Sequence, residues 1–406
     1  MRRLTASAIL SAAVILALIA PAAGQTTDWP VYGGDTGNTR YSPLQTLTPA
    51  NVGKLKVAWA LQLGSLRSQE STPVVVGDTL YVTSSHGPKH VFAVDARTGT
   101  IRWRYAPEVP AGIDQFACCD VNNRGVAYAN GKVFVGRLDG HLVALDAKTG
   151  DEVWKSQIVD YTQGSVITSP PTIVKNLVIT GFGGGEFGAR GFIAALDQNT
   201  GKEVWRFWTI PGPGEPGNES WKGDSWKLGG GVAWGIGSYD PKLNLLFYGT
   251  SNPSPWGASV RGPDSGEYGA FTNLYTSATL AINPDTGKLV WHYQSTPHDA
   301  WDYDGVNELL VADLTLQGQK TPVVLKADLR EVVRADQLGH ARRPRQRASR
   351  RGPREAAQVQ AAREGHLPQP PRRQELAADE LQSQDRARVH PVDQSLHGHG
   401  RRRARL

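Results

Sequence analysis

One short pattern occurs four times in the chain, and it limits the possible folds more than any other feature. Each copy has an apolar run, a turn with Asp or Asn, the pair Thr-Gly, and a Trp four residues after the Gly. The copies read VFAVDARTGTIRWRY, LVALDAKTGDEVWKS, IAALDQNTGKEVWRF and LAINPDTGKLVWHY. Four copies in phase predict a repeat protein. The glycines are Gly99, Gly150, Gly201 and Gly287, and the tryptophans are Trp103, Trp154, Trp205 and Trp291.

Each copy is predicted to form a β-hairpin. Alternating β-branched and aromatic residues favour strands, and the segment before and including Thr-Gly favours a turn in which Gly adopts positive φ. The first two intervals between the glycines are 51 residues each and the third is 86. A period of this size accommodates about four strands, which is typical of propeller blades. An open sandwich of hairpins is the alternative, and the in-phase copies favour the propeller.

The remaining segments fit the same all-β architecture. LKVAWALQL from Leu55 is predicted to be an earlier strand of this kind, and YDPKLNLLFYGTSN from Tyr239 is predicted to form a second hairpin in the long interval. Pro211–Gly231 is rich in Gly and Pro and is predicted to be an inserted loop. The chain has 12 Trp and 45 Gly in 406 residues, which suits a β fold packed through indole rings.

The N-terminal residues 1–25 resemble a secretory signal peptide. Arg2 and Arg3 form a charged start, Ile9 to Ile19 form a short apolar run, and small residues follow. A single membrane anchor is the alternative, but the run is short for a span of about 20 residues. No other segment is apolar enough to cross a bilayer, so we expect an exported, periplasmic protein without an integral span after signal cleavage.

The only two cysteines, Cys118 and Cys119, are adjacent. In an oxidising compartment, adjacent cysteines can form a small strained disulfide ring. They can equally remain thiols that pack as small apolar groups. The residues alone leave both interpretations open.

Several separated motifs lie between Asp28 and Asp328. The first segment reads WPVYGGDTGNTRYSPLQTLTPANVGKLKVAW, and the others are QESTPVVV, ACCDVNNRG, ITSPP, GGGEFGARG, GGGVAWG, GTSNPSPW and TPHDAWDYDGVNE. Together these motifs resemble the pyrroloquinoline quinone (PQQ) dependent alcohol dehydrogenases of the methanol and ethanol dehydrogenase type, and the first segment resembles the N-terminal blade of that family. The resemblance implies an eight-bladed quinoprotein propeller, of which these residues supply about four to five blades.

The resemblance also implies the residues of a site. It places PQQ against a Cys118–Cys119 disulfide ring on one face and Trp234 on the other, with Arg124 at the quinone edge. It places Asp302 as the catalytic base that accepts the alcohol proton while hydride moves to the quinone. The remaining cofactor-binding residues would be Glu70, Thr168, Gly184 and Gly185, and the metal ligands would be Glu186, Asn252, Asp302 and Asp304.

The metal implied by the resemblance is Ca²⁺ or a lanthanide. Carboxylate and amide oxygens suit a hard cation, and an additional acid at Asp304 is associated with lanthanide-using members of the family. A surface or supporting role for Asp304 is the alternative. Gly183 and Val232 stand where many relatives carry Ser and Thr, and both changes would remove a hydrogen bond to PQQ.

The expected substrate is a small alcohol and the expected electron acceptor is a periplasmic cytochrome c. No CxxCH motif occurs in the chain, so no covalent haem is expected. We expect no nucleic-acid partner, because the excess of basic residues lies outside the repeat region. From Ala327 to Leu406 the chain has 18 Arg and 10 acidic residues, whereas the formal net charge of the whole chain is only +6.

The resemblance ends at Asp328, and residues 329–406 form an Arg-rich segment without aromatic residues, which is predicted from composition to be disordered. We predict that a change of reading frame produced this segment. One back-translation of Gln374 to Pro391, read one base later, encodes KNWQPMSYNPKTGLVYIP, which restores the aromatic residues and the turn motif. A genuine basic tail that binds nucleic acid or anionic membrane is the alternative.

An incomplete ring of blades would leave an apolar face open, because each blade buries its core against its neighbours. We therefore expect this copy to be unstable and impaired in activity. A non-catalytic propeller that acts as an outer-membrane assembly scaffold is the main alternative to the enzyme. A sugar-oxidising PQQ enzyme fits the GGGEFGARG and CCD motifs less well.

Overall fold

The structure is a computed structural model, and it describes residues 28–327 except residues 66, 68, 85–90, 119 and 264–270. The predicted signal peptide (residues 1–25) and the predicted Arg-rich tail (residues 329–406) lie outside the described residues. No helix in the described part of the chain is long and apolar enough to cross a membrane.

Four sheets of four strands and one sheet of two strands make up the described fold. Each four-stranded sheet is an antiparallel meander in chain order, so the predicted propeller blades are confirmed. The first two sheets are β1–β4 (Val74–Val76, Thr79–Thr83, Val91–Asp95, Ile101–Tyr105) and β5–β8 (Ala127–Ala129, Lys132–Gly136, His141–Asp146, Glu152–Gln157). The next two are β9–β12 (Thr172–Val174, Leu177–Thr180, Phe192–Asp197, Glu203–Trp208) and β13–β16 (Ser238–Asp240, Leu245–Gly249, Ala278–Asn283, Lys288–Gln294). The fifth pairs β17 (Leu309–Leu316) with β18 (Gln319–Lys326).

The four repeated hairpins form the third and fourth strands of the four-stranded sheets. In the first copy, Asp95 Oδ1 accepts hydrogen bonds from the backbone N–H of Arg97 at 3.0 Å and of Thr98 at 2.9 Å. The following Gly99 adopts φ +74°, a conformation that favours glycine. The other three repeats close their turns in the same way, with Asp146, Asp197 and Asn283 as the acceptors.

The repeated tryptophans join each blade to the next. Trp154 Nε1 donates to the Gln198 backbone oxygen in the following sheet at 2.9 Å, and its ring lies against Gly201. A Cβ on that glycine would lie 2.7 Å from the indole, so only glycine fits. Trp103 docks in the same way on Ala147 and Gly150, and Trp205 on Pro284 and Gly287. Trp291 makes no such hydrogen bond to a described residue.

The hydrophobic cores lie between neighbouring sheets. Along β11, Ile193 and Ala195 pack toward the fourth sheet, whereas Ala194 and Leu196 pack toward the second. This alternation follows from the two-residue period of a strand. A further core between the fourth and fifth sheets contains Phe247, Ala281, Leu309 and Val324.

An N-terminal segment crosses the first strands of four sheets. Trp29 pairs with Val75, and the Pro30 oxygen accepts from Tyr128 N at 2.8 Å. Further along, the oxygens of Thr36 and Gly37 accept from Tyr239 N at 2.7 Å and from Val311 N at 2.9 Å. This segment therefore bonds to the first strand of four sheets, β1, β5, β13 and β17.

Two predictions about other segments have different outcomes. Pro211–Gly231 contains no strand, as predicted for an inserted loop, and only two short 3₁₀ turns, Asn218–Ser220 and Ser225–Leu228. The prediction of a strand from Leu55 is wrong, because residues 55–63 pair with no strand in the described region. Trp59 nevertheless docks on the first sheet like the repeated tryptophans, and donates to the Ala96 oxygen at 3.0 Å.

Candidate active site

All the site residues predicted from the sequence, within the described region, lie at one end of the sheets. They fall on the segment before β1, on the connections between sheets, or on those between second and third strands. In a meander of alternating strand direction, both kinds of connection emerge at the same end. Residues distant in sequence are thus brought to one face. They are Glu70, Cys118, Arg124, Thr168, Gly184, Gly185, Glu186, Trp234, Asn252, Asp302 and Asp304.

The Arg124 guanidinium connects three segments, which precede β1, join β4 to β5 and join β8 to β9. One nitrogen lies 2.9 Å from Glu70 Oε2, and the other donates to Thr168 Oγ1 at 2.8 Å. Asn122 Nδ2 donates to the second Glu70 oxygen at 3.0 Å. The Arg124 backbone N–H also donates to the Thr168 oxygen at 2.8 Å. These bonds fix a cationic group with a defined direction.

Trp234 lies between this cation and a carboxylate. The central guanidinium carbon of Arg124 is 5.0 Å from the Trp234 ring centroid, within the range of a cation–π contact. Trp234 Nε1 donates to Asp304 Oδ2 at 3.2 Å. Ser169 Oγ donates to the Trp234 backbone oxygen. The indole is half-buried, so part of the ring stays open.

Three successive glycines, Gly183, Gly184 and Gly185, precede Glu186 and meet different neighbours. A Cβ on Gly183 would lie 3.7 Å from the Trp234 Cβ, which is ordinary contact, whereas a Cβ on Gly184 would lie 1.8 Å from the Gly164 oxygen. Gly184 also adopts φ +102°. Gly185 is buried near Ser251, the neighbour of Asn252. Of the three glycines, Gly183 borders Trp234, whereas Gly184 is pressed against the Gly164 backbone.

Glu186 follows these glycines in the short turn Gly185–Phe187, and its side chain is exposed. The structure shows no hydrogen bond or ion pair between the Glu186 carboxylate and another described residue. Within the described residues, no three His, Cys, Asp or Glu side chains lie close enough together to form a metal cluster. The structure therefore does not join Glu186 to the other predicted metal ligands.

Asn252, Asp302 and Asp304 do come together. Asp304 Oδ1 accepts from the backbone N–H of Asn252 at 3.0 Å and from that of Gly305 at 3.0 Å. The buried Asn252 amide is satisfied at both ends when its nitrogen donates to Asp302 Oδ1 at 3.3 Å and its oxygen accepts from Trp256 Nε1 at 2.7 Å.

Both acids have raised pKa values. Burial raises the pKa of Asp304 to about 7, although its hydrogen bonds from Gly305, Trp234 and Asn252 act in the opposite direction. Loss of water raises the pKa of the more exposed Asp302, and the nearby Asp299 carboxylate adds to this effect. Acids that sit in a cleft with raised pKa values are typical of functional sites.

Three residues at this site were not identified from the sequence. Asp299 is buried and its carboxylate accepts hydrogen bonds from the loop that carries Asp302 and Asp304. Arg261 is fully buried beneath the loop that follows Asn252. Trp256 contacts the Asn252 amide. Asp299 belongs to the acid-rich run HDAWDYD, which gave a signal; nothing in the sequence distinguishes Arg261.

Of the two cysteines of the predicted disulfide, only Cys118 is among the described residues. Cys118 is half-buried in the connection from β4 to β5 and is not a free thiol. Cys119 lies outside the described residues. The pairing of the two cysteines stays a prediction.

A family model matches most of the described chain. Residues 29–330 match the model of the PQQ-dependent glucose, ethanol and alcohol dehydrogenase β-propeller domain. The chain is 45% identical over 322 residues to the lanthanide-dependent methanol dehydrogenase of Methylacidiphilum fumariolicum. This match covers 74% of this chain and 51% of that relative. It is 43% identical to the quinohemoprotein alcohol dehydrogenase of Comamonas testosteroni, over 75% of this chain and 44% of the relative.

Solved structures agree with this match. A europium-containing methanol dehydrogenase superposes with a TM-score of 0.69 at 44% identity, covering 74% of this chain and 55% of the other. The Comamonas testosteroni quinohemoprotein alcohol dehydrogenase superposes with a TM-score of 0.70 at 41% identity, covering 75% and 47%. The chain spans about half the length of the curated relatives that it matches. The chain therefore belongs to the PQQ-dependent alcohol dehydrogenase family.

Proposed function

We propose that this site oxidises a primary alcohol to an aldehyde, with PQQ and a bound cation as cofactors. One observation carries the proposal. Residues on five connections form a continuous chain of contacts, which runs from Glu70 through Arg124, Trp234 and Asp304 to Asn252 and Asp302. A scaffold protein has no need of such a chain of ionisable groups around an open indole.

The residues fit a flat anionic cofactor. Trp234 is half-buried and offers an aromatic ring, and Gly183 beside it presents no side chain. Arg124 supplies a fixed cation for a quinone or carboxylate oxygen. Thr168 and Glu70 hold that guanidinium in place, and Cys118, with Cys119, would cover the opposite face.

The donor set also fits a hard cation. The Asn252 amide oxygen and the carboxylates of Asp302 and Asp304 are oxygen ligands, and the exposed Glu186 carboxylate is available on the adjoining loop. A third carboxylate favours a trivalent lanthanide, whereas Ca²⁺ needs fewer charges. When bound, PQQ supplies the two-electron acceptor and the cation supplies a Lewis acid.

Asp302 is the proposed general base. Its carboxylate is exposed enough to meet a substrate hydroxyl, and the raised pKa makes it a stronger proton acceptor than an ordinary surface acid. Asn252 Nδ2 donates to Asp302 Oδ1, and this leaves the second Asp302 oxygen for the proton. Asp304, with a pKa of about 7, would be ionised more readily when a cation is present.

Export to the periplasm and electron transfer to a cytochrome c are part of the proposal. The charged start and short apolar run of residues 1–25 support export.

We further propose that this copy is impaired. The motifs end at Asp328, and residues 329–406 contain no aromatic residue. Among the described residues, Trp291 has no docking partner and the fifth sheet has two strands. Both observations support the proposal, because each blade is stabilised by its neighbour.

The proposal is tested by reconstituting the full chain with PQQ and either Ca²⁺ or La³⁺. Uptake is followed by quinone absorbance, and turnover by dye reduction with short primary alcohols. We expect uptake and slow turnover, with Asp302→Asn reducing turnover by roughly 10²–10⁴-fold. Asp313→Asn on the exposed part of β17 is the control and leaves turnover unchanged. Absence of PQQ and metal uptake would refute the proposed function, and turnover equal to that of an intact relative would refute the impairment.

A further inference from the structure

The carboxylate of Asp299 organises the loop that contains the two acids of the site. The side chain is buried, with 1% of its surface exposed. Oδ1 accepts from Trp301 N at 2.9 Å, and Oδ2 accepts from Tyr303 N at 3.0 Å and from Asp304 N at 3.1 Å. Three backbone N–H groups of the loop thus donate to one carboxylate. Of the four residues from Trp301 to Asp304, only Asp302 does not donate its N–H to Asp299.

The loop needs this support because its backbone is unusual. Asp302 and Asp304 adopt φ of +60° and +62°. Residues other than glycine rarely occupy this left-handed region, and they persist there only when the surroundings hold them. The bonds to Asp299 lie on both sides of Asp302 and at Asp304 itself. They therefore hold both acids in the conformation that directs them toward Asn252.

Asp299 is in turn fixed from outside the loop. Ser277 Oγ donates to Asp299 Oδ2 at 3.0 Å. The buried Arg261 donates from one nitrogen to the Asp299 backbone oxygen at 2.7 Å and to the Trp256 oxygen at 3.3 Å, and from Nε to the Pro255 oxygen at 2.6 Å. Burial lowers the Arg261 pKa only to about 10, so this side chain is cationic at neutral pH. Arg261 thus ties the Asn252 loop to the Asp302 loop.

We infer that Asp299 is a positioning residue that sets the spacing of Asp302, Asp304 and Asn252 around the cation, with Arg261 holding it against the Asn252 loop. The inference rests on the proposed function in so far as these three residues bind the cation. Asp299 itself offers no ligand, because its two oxygens are occupied by loop amides and Ser277.

The first test measures binding of Tb³⁺ to the full chain through emission excited via the nearby tryptophans. In Asp299→Asn, the new amide nitrogen cannot accept a hydrogen bond, so at least one loop N–H loses its acceptor. We expect Tb³⁺ affinity to fall about 10- to 100-fold, as is typical for residues that orient ligands. Emission lifetimes in H₂O and D₂O should also report more water on the ion. Asp313→Asn removes the same charge from a surface pair with Lys242 and serves as the control.

The second test does not depend on a metal. Amide hydrogen exchange of the peptide covering residues 299–305 should be slow in the metal-free wild type and at least about tenfold faster in Asp299→Asn. Peptides from β10 and β11 should not change. Ser277→Ala removes one donor to Asp299 and leaves the loop sequence unchanged. It should speed the exchange of the loop amides by a smaller factor. It also keeps the test decisive if Asp299→Asn does not fold.

The two tests separate the inference from the proposed function. If the wild type binds no Tb³⁺ but its loop amides depend on Asp299, the cation site fails and the positioning role stands. If Asp299→Asn binds Tb³⁺ with unchanged affinity and water count, or if its loop exchanges like the wild type, the positioning role is refuted. A loss of thermal stability alone, with both readouts unchanged, refutes it as well.

Discussion

Trp205 and Trp234 are 29 positions apart and both extend an indole N–H to an oxygen, but the oxygens differ in kind. Trp205, 9% exposed, donates to the Pro284 backbone oxygen of the next blade at 2.7 Å. Trp234 is half-buried and donates to the Asp304 carboxylate at 3.2 Å. The first contact is a neutral bond between packed sheets, and the second ends on a group that can gain or lose a proton.

The difference shows how the chain divides stability from function. The docked tryptophans fill the space between blades and satisfy buried carbonyls, so they stabilise the fold at any pH. Around Trp234 the indole is only half-buried, and Asp302 and Asp304 adopt positive φ. Burial also raises the pKa of the Asp304 carboxyl to about 7. Each of these features destabilises the folded protein unless a ligand compensates for it.

The largest effect on unfolding free energy is expected at Gly184, which belongs to the site loop and packs tightly against the Gly164 backbone. Gly184→Ala places a Cβ 1.8 Å from the Gly164 oxygen at φ +102°, so we expect a loss of about 3 kcal/mol or more in unfolding free energy. Gly183→Ala is the matched control, because its Cβ would meet nothing closer than 3.7 Å. It should change stability by less than about 1 kcal/mol. Urea unfolding measures both, and equal losses would contradict the assignment of the tight approach to Gly184.

The second effect concerns the pH dependence of the metal-free protein. The folded pKa of Asp304 is about 7, above the ordinary value of about 3.9 for the unfolded chain. Between these values the folded state binds more protons, so unfolding free energy decreases as pH rises from about 4 to about 7. Asp304→Asn should abolish this decrease and gain roughly 2 kcal/mol relative to wild type at pH 8.

Asp313→Asn is the control for that titration, because a hydrogen bond from Lys242 lowers the Asp313 pKa and gives the opposite sign. Its effect should be small, since this carboxylate is exposed. Denaturation midpoints across pH 4 to 8 with a chelator present check both variants. Parallel wild-type and Asp304→Asn profiles would show that Asp304 is not a buried, destabilising acid.

The third effect compares a docked and an undocked tryptophan. Trp205→Phe leaves the Pro284 oxygen without its donor in a buried interface, which should reduce unfolding free energy by about 1–3 kcal/mol. Trp291→Phe removes no hydrogen bond to a described residue and keeps an aromatic ring near Phe247, so it should change stability by less than about 1 kcal/mol. Thermal unfolding of the two variants gives the comparison. If Trp291→Phe lowers the unfolding free energy as much as Trp205→Phe does, Trp291 is docked and the comparison fails.

The sequence predicted the repeated parts well, because their causes are local. An Asp or Asn acceptor followed by Gly determines each turn, and the period of two determines which residues face each neighbouring sheet. Docking of the tryptophans depends on a neighbour, and sequence alone did not distinguish Trp205 from Trp291. The same limit explains the wrong strand assignment at residues 55–63. Their pattern suits a strand, but pairing requires a partner strand, which the described fold does not contain.

The site was predictable in part. Motif resemblance pointed to Arg124, Trp234, Asn252 and both acids. The structure brings these residues into one chain of contacts, and the roles assigned to them stay predictions. Motif resemblance did not identify Asp299 or Arg261, because they act through backbone groups that become neighbours only after folding. The role predicted for Glu186 remains a proposal, since its exposed carboxylate contacts none of the other predicted ligands.

The smallest effect on stability should come from Trp234→Phe. The variant keeps a ring beside Arg124 and loses only the donor to Asp304, so unfolding free energy near pH 6 should change by less than about 1 kcal/mol. Because that hydrogen bond lowers the Asp304 pKa, its loss should move the pKa further above about 7. The infrared carboxyl band of metal-free protein, assigned by its absence in Asp304→Asn, measures the shift. Trp205→Phe should lower stability more and leave the band where it was. The reverse result, with Trp234→Phe more destabilising and the titration unmoved, would mean that both indoles are scaffold residues.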